Sequence, residues 1–141
     1  MRHAAILDSG IVIGIFDKGD QFYNQAKSIF EEFEKRNIST FYTTDYVAVE
    51  CSNFLLRKVS PKSALQALRL LFETDGIRMI FVDPGSKKRL IGIMEKFPGL
   101  SFTDASLIFI SESVGIKTMY SFDKGFDKVK GVIRKDRVQN V

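Results

Sequence analysis

Short apolar runs alternate along the chain with longer stretches in which apolar residues recur every three or four positions. The first pattern is that of a buried strand, and the second marks one face of a helix. His3–Leu7 is the first apolar run, closed by Asp8-Ser9-Gly10. Gly10–Phe16 reads as a short helix or turn. Asp20–Arg36 reads as an amphipathic helix with Phe22, Ala26, Ile29, Phe30 and Phe33 on one side. Ile38–Thr43, rich in β-branched and aromatic residues, predicts a second strand. Thr44 then caps a helix to Lys58, with Asp45 in the first turn where a negative charge is favoured. Ser60-Pro61 opens another helix, striped by Leu65, Leu68, Leu71 and Phe72 and ended by Asp75-Gly76. Ile77–Val82 is a third strand, and Asp83-Pro84 starts a helix through Leu90, Ile91, Met94 and Phe97 that Pro98-Gly99 breaks. Thr103 caps a helix stopping at Gly115, Ile116–Tyr120 is a fourth strand, and Gly131–Val138 a fifth at the sheet's edge.

Strands alternating with helices in this way build an α/β sheet from crossovers. Neither repeats nor low-complexity stretches interrupt the pattern, so residues 1–141 are expected to form a single domain. With 45% hydrophobic residues and thirteen Phe, the core needs no disulfide or structural metal.

Composition narrows the chemistry mainly by exclusion. Cys51 is the only cysteine, which rules out an internal disulfide, a Cys-based zinc site and a paired redox motif. Its helical setting beside Phe54 and Leu55 marks a buried packing thiol. The only histidine, His3, reads as a surface or strand-edge residue. Hydrolytic chemistry therefore falls to carboxylates, hydroxyls or lysines. No stretch reaches the ~20 apolar residues of a membrane span, and the first residues lack the long apolar segment of a signal peptide, so a cytoplasmic protein is expected. The net charge of +4 permits a polyanionic partner. Basic residues concentrate at Lys87-Lys88-Arg89 and through Lys124, Lys128, Lys130, Arg134, Lys135 and Arg137, where they would rim a site or form solvated faces.

Four acids stand where structure alone does not require them. Asp8 follows the first strand and Asp123 lies just beyond the fourth, at the carboxyl ends where open parallel sheets collect ligands. Glu50 falls between Tyr46 and Phe54 on its helix, inside the stripe expected to face the core, and Asp104 falls between Leu107 and Ile108. Clustered carboxylates repel one another, and a divalent cation is the simplest remedy. All-oxygen ligation selects hard ions, Mg²⁺ or Mn²⁺. Asp127 reads as a surface acid near the same region. Tyr23, Phe122 and Phe126 are candidates for stacking on bases, with core packing the plainer role for each Phe.

In chain order, Leu7-Asp8-Ser9, Thr43-Thr44-Asp45-Tyr46-Val47-Ala48-Val49-Glu50, Ser101-Phe102-Thr103-Asp104-Ala105 and Ser121-Phe122-Asp123-Lys124-Gly125-Phe126 resemble the motifs of the PIN-domain family. The members nearest in size are the VapC-type toxins of toxin–antitoxin pairs. The resemblance implies a three-layer α/β/α sandwich with a mainly parallel sheet of four to five strands, and Mg²⁺- or Mn²⁺-dependent cleavage of RNA. It assigns Asp8 and Asp104 as principal metal ligands, completed by Glu50 and Asp123. Ser9 and Ser121 become hydroxyls that orient these acids; the family commonly has Thr where Ser121 stands. A type II toxin would also have a homodimeric form and a small antitoxin partner. The alternatives are a PIN-domain nuclease of RNA processing and a catalytically silent PIN-like module that binds RNA or protein. A different metal-dependent phosphoesterase would share the acids but not the substrate. Gly10, Gly14 and Gly19 fit no phosphate-loop pattern.

Overall fold

The computed structural model describes residues 3–138. Its strands are β1 (His3–Leu7), β2 (Ile38–Thr44), β3 (Ile77–Ile80), β4 (Thr118–Tyr120) and β5 (Ile133–Lys135). All pair in parallel, in the order β3-β2-β1-β4-β5. Parallel neighbours need a crossover rather than a tight hairpin. Helices α1 (Ser9–Phe16) and α2 (Tyr23–Glu34) link β1 to β2, and α3 (Asp45–Lys58) and α4 (Pro61–Glu73) link β2 to β3. Helices α5 (Lys87–Lys96) and α6 (Phe102–Val114) lead to β4, and only a 3-10 turn, Lys124–Lys128, lies between β4 and β5.

The three layers follow from strand alternation. Phe41 and Thr44 stand three apart on β2 and so face opposite sides of the sheet. Phe41 packs on Phe30 and Phe33 of α2, with ring centroids 5.7 and 5.0 Å away. Thr44 Oγ1 lies 2.9 Å from Ser106 Oγ of α6. Helices therefore cover both faces, the expected α/β/α sandwich. Ala5, Ile6 and Leu7 of the central β1 are fully buried, as a strand covered on both sides must be.

Several element boundaries differ from the sequence reading for identifiable reasons. β3 ends at Ile80 because the Val82 amide turns to donate to Asp45 Oδ1 (2.8 Å) instead of extending the ladder. β4 begins late because the Ile116 amide bonds back to Ser111 O (3.1 Å) after Gly115, whose φ of 72° ends α6. Asp20 lies outside α2, accepting from the Phe22 amide (2.9 Å). The helix expected from Asp83-Pro84 starts as a 3-10 turn, Pro84–Ser86, before α5. The cap of α6 is Ser101 and not Thr103. His3 is not at a sheet edge: it opens the central strand, with Nε2 3.3 Å from Tyr120 Oη.

The chain builds β2 and β3 on one side of β1, then returns to place β4 and β5 on the other. The order reverses between β1 and β4. In open parallel sheets a crevice forms outside the carboxyl ends of such a strand pair.

Candidate active site

Asp8 and Ser121 are the first residues beyond β1 and β4. Asp8 caps α1: its Oδ1 accepts from the Ser9 amide at 2.7 Å, and Ser9 Oγ lies 3.4 Å from the same oxygen. Its Oδ2 accepts from Ser121 Oγ at 2.6 Å. Ser121 Oγ in turn accepts from the Asp123 amide at 3.0 Å, so one buried hydroxyl ties the ends of both strands together. Asp123 then caps the following 3-10 turn through the Gly125 amide (2.8 Å). Asp104 sits in the first turn of α6, locked by a capping box: its amide donates to Ser101 Oγ (3.0 Å), and its Oδ2 accepts from the Ser101 amide (2.9 Å). Each of these acids is thus held by a terminus that the fold had to build anyway.

These side chains line one crevice of about 370 Å³ with Glu50 of α3. Asp8 is only 4% exposed, and burial pushes its carboxyl up to about 7. The Ser121 hydroxyl pulls it down, while the charges of Asp104 and Glu50 raise it further. Burial also raises Glu50, against the pull of the Thr103 hydroxyl, with Asp104 and Asp123 adding repulsion. Asp104 is raised by burial and by Asp123, and held down by its bonds to Ser101. The four carboxylates therefore feel one another, although they come from separate elements.

Glu50 is not buried in the core stripe as its spacing predicted. The inward face of α3 is Val47, Ala48, Cys51 and Leu55, and Glu50 lies beside it, exposed toward the crevice. Asp104 is half-buried rather than enclosed. Sequence reasoning missed Asp20, Ser101 and Phe22, which also line the crevice. Asp20 carried no signal because it read as the start of a helix. Phe22 stacks on Phe122 with centroids 4.3 Å apart, making one apolar wall, whereas Phe126 is fully buried and Tyr23 does not line the crevice. Cys51 is buried, its Sγ 3.6 Å from Ser9 O, and burial holds its thiol well above the usual range.

The basic run after β4 is partly structural. Arg134 donates to both oxygens of Asp127 (2.8 and 3.2 Å) and to Ser121 O (3.1 Å), clamping β5 beneath the site. Asp127 faces this guanidinium, whose bonds hold its carboxyl below the usual range.

The donor set suits a hard divalent cation, since the polar side chains lining the crevice among the described residues are carboxylates and hydroxyls. Among the described residues no three acid, His or Cys side chains close into a ready-made cage.

Residues 5–132 match the PIN domain family. No curated protein matches the chain. Among solved structures, Mycobacterium tuberculosis VapC20, titled a Sarcin-Ricin loop cleaving toxin, gives a TM-score of 0.79 at 18% identity, over 89% of this chain and 95% of that one. A toxin–antitoxin complex from Klebsiella pneumoniae gives 0.64 at 15% identity, over 92% and 95%. VapBC2 from Rickettsia felis, bound to a DNA fragment of its promoter, gives 0.59 at 14% identity, over 96% and 98%. At such identities the likeness speaks for the fold. No described helix is long and apolar enough to cross a membrane. With the family match running from within β1, through β2, β3 and β4, to the threshold of β5, the chain belongs to the PIN domain family.

Proposed function

We propose that this protein is a Mg²⁺- or Mn²⁺-dependent endoribonuclease acting in the cytoplasm as the toxin of a type II toxin–antitoxin pair. One observation carries the reading: acids from four separate elements line a single crevice at the sheet's switch point, where burial, with the charges of Asp104 and Glu50 adding to it, raises Asp8 to about 7. Asp8 and Asp104 would hold the ion, with Glu50 and Asp123 completing the site directly or through waters. A divalent ion bound there supplies a nucleophilic hydroxide near neutral pH and charge stabilisation at the phosphate.

The chain's own residues do the rest. Ser121 and Ser9 fix the Asp8 carboxylate, and Ser101 fixes that of Asp104. Glu50, exposed to the crevice and raised above its ordinary range, is suited to take up a proton there. The Phe22–Phe122 wall offers a face on which an unstacked base can lie, which favours single-stranded RNA. The toxin assignment draws support from the neighbours, which are themselves a toxin and toxin–antitoxin complexes. Exposed Leu56, Leu65, Phe72 and Phe81 on and after the α3–α4 pair support contact with a second copy or an antitoxin.

The test is a panel of single-stranded RNA, DNA and nucleotide phosphates, incubated with Mg²⁺, Mn²⁺ or EDTA. RNA cleavage that EDTA abolishes is expected. Preferential hydrolysis of DNA or nucleotides, or RNA cleavage that survives EDTA, would overturn the reading. Light scattering of the purified chain is expected to give the mass of a dimer.

A further inference from the structure

Beside the acidic crevice lies a second concavity that this chemistry leaves unused. A groove of about 540 Å³ runs between α5, α6 and residues 128–130. Through Ile108, Glu112, Val129 and Lys130 it continues into another of about 290 Å³. Its rim carries Arg89, Lys96, Lys117, Lys128 and Lys130 against a single carboxylate, Glu112. Arg89 is paired with Glu112, and Lys128 donates to Pro98 O (3.4 Å). Among the described residues, Lys96, Lys117 and Lys130 have no ion-pair partner.

Two elements join this groove to the crevice. Asp104, Ile108 and Glu112 stand on successive turns of α6, Asp104 lining the crevice and the other two the groove. At ~1.5 Å per residue, Asp104 and Glu112 are separated by about 12 Å along the axis. Independently, Asp123 opens the 3-10 turn at the crevice, and Lys128 closes it at the groove. The groove and the crevice are therefore lined from the same two elements, one turn of α6 separating Asp104 from Ile108. The crevice itself is lined by Asp8, Asp20, Glu50, Asp104 and Asp123, which repel a phosphate backbone. A neighbouring row of cations offsets that repulsion.

We infer that this groove is the track for the RNA strand on one side of the cleaved bond, its free lysines each holding a backbone phosphate. The choice of RNA rests on the ribonuclease reading. An acidic protein segment is the competing occupant, and the groove's place on the same two elements as the crevice favours the nucleic acid.

Binding of a fluorescent single-stranded oligoribonucleotide to the full chain, followed by anisotropy in EDTA over a range of salt, tests this without cleavage. The logarithm of the binding constant falls with the logarithm of salt by ~0.7 for each phosphate neutralised on a single strand. The double variant Lys117→Ala/Lys130→Ala is expected to lose about 1.4 of that slope. A control of equal charge on α2 and α4, Lys27→Ala/Lys62→Ala, is expected to keep it. Lys130→Glu should weaken binding more than Lys130→Ala. A groove variant with the parental slope, or a control that loses as much, overturns the inference. Cleavage of RNA with an unaltered slope would sink the groove alone; binding with the expected slopes but no cleavage would sink the ribonuclease reading alone.

Discussion

At the scale of single residues, Asp8 joins the proposed chemistry to the cost of burying a carboxylate. Its carboxyl titrates near 7 in the fold and near its ordinary 3.8 when unfolded, so the fold binds the proton more tightly. This group's contribution to stability is therefore fullest below about pH 4 and is lost as pH rises toward about 7. At about pH 8 the charged form must be buried, at a cost on the order of a few kcal/mol. In EDTA, Asp8→Asn should raise the melting temperature at about pH 8 and change it little at about pH 4. In Mg²⁺ the same variant should lose RNA cleavage by on the order of 10²–10³-fold. Equal melting at alkaline pH, or full activity, would remove Asp8 from the role given to it. Ser121→Ala separates positioning from chemistry. It deletes the donor to Asp8 Oδ2 and the acceptor of the Asp123 amide. Without that donor, Asp8 should titrate still higher, because the hydroxyl is what holds it down. Activity should fall about 10- to 100-fold, with the acid limb of the pH–rate profile moved upward. Ser121→Thr should restore both; a fall in activity with an unmoved profile would mean a packing defect only.

At the scale of elements, helix termini place the acids, and termini are also where sequence reading succeeded or failed. Thr44, Ser60-Pro61 and Gly115 announce their helices by side-chain chemistry, and the structure puts caps at those positions. The α6 start was misplaced by two residues because Ser101 and Thr103 are both good caps. The choice of Ser101 makes Asp104 the third helical residue, completing a reciprocal box that the Ser-x-x-Asp spacing could have revealed. Glu50 was legible as an anomaly but not as an exposed one, because a helical wheel cannot say which flank of a stripe opens on a crevice. Asp20 and Phe22 join the crevice by tertiary packing, which no local pattern encodes. Ser101→Ala should cost about 1 kcal/mol of stability and lower cleavage by freeing the Asp104 carboxylate, both measurable by denaturant unfolding and by RNA turnover. The α1–α2 contact admits a different test. A Cβ on Gly14 would come within 2.8 Å of Ala26 Cβ, a backbone-anchored atom that cannot swing away. Gly14→Ala should therefore destabilise by about 1–3 kcal/mol, despite the helix-favouring residue it introduces. Unchanged or increased stability would show that the two helices can slide apart.

At the scale of the whole molecule, the sheet order gathers carboxylates at one end while the net charge stays at +4. The negative potential is local, and its relief should be visible in global stability. A ligand that binds only the folded chain stabilises it by RT ln(1 + [L]/Kd), about 1.4 kcal/mol at ten times Kd. For a domain of this size that corresponds to a rise of several degrees in melting temperature. Mg²⁺ or Mn²⁺ should therefore raise the melting temperature at about pH 8, where Asp8 is charged, and raise it less at about pH 5, where protons already occupy the site. The inequality follows from competition between proton and cation for one carboxylate. Sodium chloride at matched ionic strength distinguishes binding from screening, because screening relieves any cluster of surface charge without saturating. Asp8→Asn supplies the remaining control, since it removes the repulsion and the ligand together. A shift that saturates with divalent ion, fails with sodium and vanishes in Asp8→Asn locates the ion among these acids. The same shift in the variant would place it elsewhere on the protein and leave the crevice without its metal.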